Sequence, residues 1–270
     1  MMDHASRFTG NIPAHYDAGL GPHLFVDYAA DLTRRATVAE PTRVLEIAAG
    51  TGIVTRTLRD ALRDTAHLVA SDLNPPMLEI ARQKFRAGEK VEFEPADAAA
   101  LPFADGAFDA VVCQFGVMFF PDKDRAYHEA HRVLGPGGRY HFNVWDSFDF
   151  NPFASITHDT VCRFFEREPP NFYTVPFGYH RIDEIKASLT RAGFDGISAQ
   201  VVSIDKTIPE ARLFAKGLIL GNPIVDEICA HGTVDPDTIV GEVTCALQTA
   251  FGHDPGRMPL QAIVFGARKR

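Results

Sequence analysis

The sequence predicts an α/β protein built around a doubly wound, mostly parallel sheet. From Arg43 onward, short apolar runs alternate five times with stretches of helical periodicity. A turn containing two glycines joins the first apolar run directly to the first helix. Such alternation implies βαβ units with helices on both faces of a parallel sheet. A chain of 270 residues, 46% of them hydrophobic, can bury a core without disulfide bonds or a structural metal.

The first half of the chain supplies most of this sheet. An amphipathic helix is predicted over residues 22–39, because Pro22 stands at its start and apolar or aromatic residues recur at every fourth position from Leu24. Strands are predicted over residues 43–48, 67–72, 91–94, 108–114 and 139–145. Helices are predicted over residues 53–63, 75–86 and 123–134, the last one ending at the glycine-rich run 135–138.

After Trp145 the regular alternation stops. Helices are predicted over residues 151–166, 182–192, 209–220, 224–230 and 236–251, strands over 194–204 and 260–267, and a loop over 169–180. No linker rich in proline, glycine or serine interrupts the chain. We therefore expect one domain over residues 1–270, with an N-terminal helical segment (1–39) and helical cap segments (147–180 and 208–255).

Composition excludes several classes of function. The 27 basic and 35 acidic side chains give a net charge of −8, which argues against nucleic acid or an anionic membrane surface as the main partner. The four cysteines form no C-x-x-C pair, so neither a zinc site nor a disulfide framework is predicted. The first residues lack the apolar stretch of a signal peptide, and the apolar run 111–120 has half the length of a membrane span. We expect a cytoplasmic protein with no metal and no membrane span.

The segment 44–52, VLEIAAGTG, is the most informative part of the sequence. It lies at the carboxyl edge of the predicted sheet, where ligands of doubly wound folds bind. A phosphate-binding loop would require a lysine that this turn lacks, and a dinucleotide fingerprint would require glycine where Thr55 stands. Glu46, just before the turn, suits a cationic group better than a pyrophosphate. Asp72, at the end of the second strand, is placed to bind a ribose diol. A nucleoside with a positive, non-phosphorylated tail is S-adenosylmethionine (SAM).

Several motifs, in order and at proper spacing, resemble those of the class I SAM-dependent methyltransferases, most closely the branch of the ubiquinone/menaquinone biosynthesis methyltransferases. The resemblance covers roughly residues 40–146. Its motifs are VLEIAAGTG (44–52), SDLNPPML (71–78), PADA with LPF (95–98 and 101–103), FDAVVCQ (108–114) and RVLGPGG (132–138).

The resemblance implies SAM as cofactor, S-adenosylhomocysteine as product and a Rossmann-like sheet of seven strands. The seventh strand would run antiparallel to the rest, and residues 260–267 could supply it. The cofactor-binding residues that the resemblance and the sequence pattern together indicate are Tyr16, Glu46, Ala48, Gly50, Thr51, Gly52, Asp72, Leu73, Met77, Asp97, Ala98 and Gln114.

Within this set the resemblance implies particular contacts. Asp72 would bind the ribose hydroxyls, and Leu73 or Met77 would contact adenine. Asp97 and the Ala98 amide would lie near the adenine ring, and Gln114 near the methionine end. Met77 is equally suited to a place in the core. The family commonly has glycine where this chain has Ala48, which puts the loop conformation in doubt more than SAM binding.

Tyr16 is predicted in a loop that precedes the first helix. In similar proteins an N-terminal segment folds over SAM, and a tyrosine there can touch its carboxylate. A loop tyrosine with solvent partners is the alternative interpretation.

Aromatic residues are concentrated in the fifth predicted strand and the segment after it, where residues 140–179 contain 12 of the 28. In this fold that region lies on the methyl-bearing side of SAM. Trp145 and Phe148, with Phe150, Phe153, Phe119 and Phe120, could line a pocket for a small apolar or aromatic acceptor, or form a cap core or the face of a homodimer. No catalytic residue is assigned; the candidate bases are His15, His141, Asp146, His158 and His180.

The predicted activity is methyl transfer from SAM to a small molecule. Two alternatives remain at this point. An NAD-dependent oxidoreductase shares the βαβ start but fits poorly at Thr55 and Glu46, and a SAM-binding protein without catalysis would keep the same loop residues.

Overall fold

The computed structural model describes residues 4–270, with side chains from residue 5 onward. Contacts within the chain divide it into two compact units. The sheet unit comprises residues 26–144, 180–201 and 263–270, and the helical unit comprises residues up to 25, 145–179 and 202–262. The assignment of a single domain to residues 1–270 stays a prediction, and its first three residues lie outside the described part of the chain.

Seven strands form one sheet in the order β3-β2-β1-β4-β5-β7-β6. They are β1 (Arg43–Ile47), β2 (His67–Asp72), β3 (Glu92–Pro95), β4 (Phe108–Gln114), β5 (Leu134–Trp145), β6 (Asp195–Ile208) and β7 (Gly256–Arg268). The pairs β1–β2, β1–β4, β2–β3 and β4–β5 are parallel. The doubly wound, mostly parallel sheet predicted from the sequence is confirmed.

β7 is the antiparallel strand. Gly137 N donates to Lys269 O at 2.9 Å, and farther along β5 the amide of Asp146 donates to Gln261 O at 3.1 Å. As the chain advances along β5, its partner residue number decreases, so the two strands run in opposite directions. The seventh strand is therefore oriented as the family resemblance implied.

Eleven α-helices lie among the described residues. They are α1 (Ile12–His15), α2 (Val26–Thr37), α3 (Ile53–Ala61), α4 (Pro75–Arg82), α5 (Lys123–Val133), α6 (Pro152–Cys162), α7 (Thr174–Gly178), α8 (Ile182–Arg191), α9 (Ala211–Leu220), α10 (Ile224–His231) and α11 (Pro236–Phe251). Short 3-10 turns are formed by His4–Ser6, Val117–Phe119 and Phe148–Phe150.

The predicted start of the first amphipathic helix is wrong. α2 begins at Val26, and residues Tyr16–Phe25 form a π-helix with Pro22 inside it. The π-helix packs against α9 so closely that a Cβ atom at Gly19 would stand 2.6 Å from Gly217 Cα. This backbone-to-backbone contact is long-range, so the local proline signal could not reveal it.

Several other boundaries differ from the prediction: α4 and α6 end four residues earlier than predicted, β6 ends four residues later, and β7 begins four residues earlier. The two differences with a clear physical reason concern β5 and the predicted loop 169–180. β5 begins at Leu134, ahead of the predicted start, because Leu134 pairs with Phe108 before a register shift opposite the glycine-rich run. The predicted loop 169–180 contains α7, which is anchored by the buried side chains of Pro176 and Phe177. Tyr173, just before α7, donates its hydroxyl to Leu218 O at 2.7 Å.

Candidate active site

A loop of unusual backbone conformation follows β1. Ala48, Gly50 and Gly52 have φ angles of 54°, 56° and 79°, in the left-handed region. A Cβ atom at Gly52 would stand 2.8 Å from Ala81 Cβ on α4, so only glycine permits this packing. Ala48 adopts the left-handed conformation in spite of its side chain. The loop therefore accommodates alanine at the position where the family commonly has glycine. The loop presents its backbone with few side-chain atoms around it.

Asp72 connects this loop to the ends of two other strands. It is buried; its Oδ2 accepts from Gly50 N at 2.8 Å, and its Oδ1 accepts from Asn74 N at 2.8 Å. The main-chain oxygen of Asp72 accepts from Ala96 N, just after β3, at 3.0 Å. Burial raises the pKa of the Asp72 carboxyl, and the amides of Asn74 and Gly50 act in the opposite direction. Oδ1 also accepts from Asn74 Nδ2 at 3.4 Å, so the acceptor capacity left for a ligand hydroxyl lies on Oδ2.

Glu46 is a buried carboxyl without a complete set of partners. Its side chain is 1% exposed, and its Oε2 has no hydrogen-bond partner within residues 4–270. Burial raises the pKa of Glu46 to about 8; the nearby Thr55 hydroxyl lowers it and the negative charge of Asp72 raises it further. The hydroxyl of Thr51, also buried, has no partner in the same part of the chain. Polar groups of this kind are normally satisfied in a folded protein, so the loop has unused hydrogen-bonding capacity.

The predicted adenine residues lie on either side of Asp72. Asp97 is exposed and its Oδ1 accepts from Ala99 N at 2.8 Å, whereas Ala98 is buried. Leu73 is half-buried. Met77 is buried on α4, and its Cε lies 3.6 Å from the place that a Cβ atom at Gly50 would take. Met77 therefore packs against the glycine loop, and Leu73, Asp97 and Ala98 follow the carboxyl ends of β2 and β3.

Gln114 ends β4 and is paired in register with Asn143 on β5. Asn143 was not selected by the sequence reasoning, although it is a polar residue inside the predicted strand 139–145. It is fully buried, and its Oδ1 accepts from Phe115 N at 2.9 Å. Phe115 itself has a φ angle of 49°. Two adjacent strands, β1 and β4, are thus each followed by a non-glycine residue in the left-handed region.

Tyr16 lies in the helical unit, in the π-helix and not in the predicted loop. Its ring stacks on Phe25 with a centroid distance of 5.0 Å and meets the ring of Phe8 edge-on at 5.7 Å. Its predicted contact with the cofactor stays a prediction.

The aromatic residues after β5 form a stacked cluster in the helical unit. Phe177 stacks on Trp145 at 5.8 Å and on Phe148 at 5.3 Å, and Phe148 stacks on His158 at 5.9 Å. Trp145 and Phe153 are buried, whereas Phe150 is 51% exposed. The buried members serve as core for this unit. Phe119 and Phe120 are half-buried and belong to the sheet unit.

The candidate bases are dispersed. His15 and His158 belong to helices of the helical unit, and His180 to the sheet unit. Asp146 is buried in the helical unit, where its Oδ2 accepts from Gln261 Nε2 at 2.9 Å. His141 lies on β5, and burial lowers its pKa to about 4, an effect that Arg139 and Arg35 increase. None of these five residues belongs to the glycine loop or forms one of the hydrogen bonds with Asp72 described above.

The described residues contain neither a group of metal ligands nor a membrane-spanning helix. Among residues 4–270, no three histidine, cysteine, aspartate or glutamate side chains are grouped so that they could hold a metal ion. No described helix has both the length and the apolar character needed to cross a bilayer.

Comparison with known proteins agrees with this geometry. Residues 44–138 match the family model described as a methyltransferase domain. The chain is 45% identical over 121 residues to demethylmenaquinone methyltransferase of Thermus thermophilus, covering 42% of this chain and 54% of the relative. It is 34% identical over 165 residues to the ubiquinone/menaquinone biosynthesis C-methyltransferase UbiE of Hahella chejuensis, covering 58% and 65%.

Residues 44–138 thus form a methyltransferase domain. The fold agrees as well, since Haemonchus contortus phosphoethanolamine N-methyltransferase 2, solved with S-adenosyl-L-methionine, superposes with a TM-score of 0.60. That likeness covers 95% of this chain and 56% of the other at 17% identity, so it concerns the fold alone. The chain spans about half the length of the first curated relatives that it matches.

The residues of the methyltransferase domain fit SAM, the cofactor that the sequence resemblance implies. SAM carries a ribose diol, a cationic sulfonium and an amino-acid end. The structure offers the buried Asp72 carboxylate at the end of β2, and Glu46 with an unpartnered oxygen at the end of β1. The backbone at Gly50 is accessible to a ligand, since the nearest atom to an added Cβ there is Met77 Cε at 3.6 Å, whereas Gly52 is required by its contact with α4. The residues at this edge of the sheet thus match SAM in charge and in hydrogen-bonding capacity.

Proposed function

We propose that this protein transfers a methyl group from SAM to a small aromatic acceptor of the quinol type. The observation that carries the proposal is the glycine loop held by buried Asp72 and flanked by the incompletely paired Glu46. The names of the relatives, which act in ubiquinone and menaquinone biosynthesis, support the choice of acceptor class. The abundance of aromatic side chains after β5 is consistent with an acceptor of this class.

In this proposal each residue has a definite task. Asp72 accepts hydrogen bonds from the ribose hydroxyls, and Glu46, ionised on binding, balances the positive end of the cofactor. Asp97 and the Ala98 amide hold the adenine ring beside Leu73 and Met77. Gln114, Ala48 and Thr51 would lie beside the methionine end, and the role of Tyr16 at the SAM carboxylate stays what the resemblance implies. When bound, SAM supplies an electrophilic methyl group on a sulfonium, which becomes a neutral thioether as the methyl group leaves.

The protein's contribution to the chemistry is alignment and exclusion of water. The residues around the glycine loop would have to hold the methyl donor and the acceptor in line. Exclusion of water favours loss of charge at sulfur. The acceptor also loses a proton. Ionisation of a quinol hydroxyl group makes the ring carbon beside it nucleophilic. Once that carbon carries the methyl group, its hydrogen leaves as a proton, the ring becomes aromatic again and the hydroxyl is reprotonated, so that one proton in all passes to water.

Calorimetry and a transfer assay test the proposal together. Wild-type protein should bind SAM and S-adenosylhomocysteine but not NADH. With isotopically labelled SAM, reduced demethylmenaquinone with a short side chain should become labelled on ring carbon. Binding of NADH without SAM would instead identify an oxidoreductase. Binding of SAM without transfer to quinols, phenols or amines would identify a SAM-binding protein that does not catalyse.

A further inference from the structure

The side-chain amide of Asn143 has a hydrogen-bonded oxygen and a nitrogen without a hydrogen-bond partner in the described part of the chain. Its side chain is fully buried on β5, and its Oδ1 accepts from Phe115 N at 2.9 Å. Its Nδ2 is buried and has no hydrogen-bond partner within residues 4–270. The bond from Phe115 fixes which end of the amide is oxygen, so the unsatisfied atom is the N–H₂ donor. A buried donor without a partner destabilises the folded protein, so its retention requires an explanation.

The position of Asn143 along the sheet indicates what could pair with it. In sheet order, Asp97 follows β3, Asp72 ends β2, the glycine loop follows β1 and Gln114 ends β4. Asn143 is paired with Gln114 and lies one strand farther on, about 4.8 Å away from β4 in the pairing direction. It is thus beyond the last residue assigned to the cofactor, on the side opposite the nucleoside.

The backbone that Asn143 holds is strained. Phe115 has a φ angle of 49° although it is buried and bulky, and its amide donates both to Asn143 Oδ1 and, at 3.2 Å, to Asn143 O. Non-glycine residues in this conformation persist only where their surroundings determine it, and they are concentrated at functional sites. Asn143 therefore already fixes one loop of the site through its oxygen while its nitrogen remains unused.

We propose that Asn143 is a specificity-determining residue whose Nδ2–H donates a hydrogen bond to a ring oxygen of the methyl acceptor. The inference rests on the proposed function and adds the chemical group that is recognised, a phenol or quinol oxygen. An N–H donor pairs only with an acceptor atom, which an aromatic hydrocarbon lacks. The hydrogen bond is stronger when the oxygen is ionised, so the same contact favours the phenolate form of the acceptor.

The test compares two ring probes, naphthol and naphthalene, on protein saturated with S-adenosylhomocysteine. The two affinities are first corrected for the difference in hydration between naphthol and naphthalene. After this correction wild type should bind naphthol about tenfold more tightly, as expected for one hydrogen bond. Asn143→Leu, which removes both ends of the amide, should abolish this preference. Asn143→Asp keeps an oxygen for Phe115 N and, when ionised, lacks the donor. It should lose the preference at pH 9 and recover it where the carboxyl is protonated.

Asn151→Asp is the matched control. Asn151 is also fully buried, but its Nδ2 is satisfied by Asp146 O at 3.1 Å and Gln261 O at 3.0 Å in the helical unit. The same chemical change there should leave the naphthol preference of the wild type intact. Melting temperature and affinity for S-adenosylhomocysteine verify that each variant is folded, and Asn143→Asp replaces Asn143→Leu if the latter does not fold.

Three results would overturn the inference: neither ring binds the wild type, both rings bind it equally, or the preference persists in both Asn143 variants. A loss of S-adenosylhomocysteine affinity that matches the loss of naphthol affinity would assign Nδ2 to the cofactor and overturn it as well. Failure of the proposed function has a different signature, because the wild type would then bind no SAM or transfer no methyl group whatever its ring preference.

Discussion

The side chain of Ala48 occupies the space that a side chain at Gly116 would require. A Cβ atom at Gly116 would stand 2.5 Å from Ala48 Cβ and 2.8 Å from Cys113 Sγ. The left-handed alanine after β1 is thus matched by a glycine in the loop after β4. The two loops, far apart in sequence, depend on each other for their packing.

Gly116→Ala should lower the free energy of unfolding by about 1–3 kcal/mol, because the new methyl group has no room. Adding Ala48→Gly should restore part of this loss, since it removes one of the two obstructing atoms and also the left-handed alanine. Urea unfolding of the two single variants and the double variant measures the coupling. Gly241→Ala is the control: nothing lies within 4 Å of its added Cβ, and it should stabilise α11 by about 0.5–1 kcal/mol. Strictly additive effects at positions 48 and 116 would contradict the packing argument.

Asp72→Asn should weaken S-adenosylhomocysteine binding roughly 10- to 100-fold, the range for loss of charge-assisted hydrogen bonds worth about 1.5–3 kcal/mol. Calorimetry at neutral pH provides the measurement. Asp109→Asn removes another carboxylate bonded to backbone amides, through Oδ1 to Arg43 N at 2.9 Å, but at the amino end of β4. This control should retain wild-type affinity. Equal effects of the two substitutions would remove Asp72 from the binding site.

Glu46 should make stability fall as the pH rises from about 5 to about 8. Its pKa is about 8 in the folded protein and 4.5 in the unfolded chain, so the folded state binds more protons throughout this window. Stability is greatest below the unfolded pKa and decreases by up to about 1.4 kcal/mol per pH unit until the folded pKa is passed. Urea unfolding from pH 5 to pH 8.5 should show this slope in wild type and a flatter one in Glu46→Gln. Parallel profiles would rule out Glu46 as its source.

The same carboxyl should lose a proton when SAM binds at pH 7, because a positive ligand favours its ionised form. Calorimetric binding enthalpies in buffers of different ionisation enthalpy measure the protons released. Wild type should release a substantial fraction of one proton, and Glu46→Gln should release less. An identical release from both proteins would show that another group titrates.

Trp145→Ala should lower the free energy of unfolding of the protein by about 3–5 kcal/mol, because Trp145 is buried against Phe177. If the segment after β5 contributes to the acceptor pocket, as the sequence predicts, Trp145→Phe should reduce kcat/KM for the acceptor more than affinity for SAM. Steady-state kinetics and calorimetry separate the two. Val201→Ala, at a position 46% exposed, should change neither.

The sequence was sufficient to predict the bounds of an element where the hydrophobic periodicity and the end signals agree. β2 and β4 have the predicted bounds, and α11 spans the predicted residues, because each has clear apolar periodicity and a clear end signal. The glycine loop and Asp72 were found because their spacing follows from the βαβ connection. The π-helix from Tyr16 was missed, since it depends on the contact of Gly19 with Gly217 across the chain. Asn143 was missed because its significance lies in a bond to Phe115, which no pattern in the sequence specifies.

Through its carboxylate and its carbonyl, Asp72 holds the amides of Gly50, Asn74 and Ala96, which follow three different strands. The glycine loop and the segments that follow β2 and β3 are therefore not independent parts. A fluctuation that displaces Asp72 releases all three amides at once. Under the proposed function, the groups that contact SAM therefore become ordered together, around a single residue.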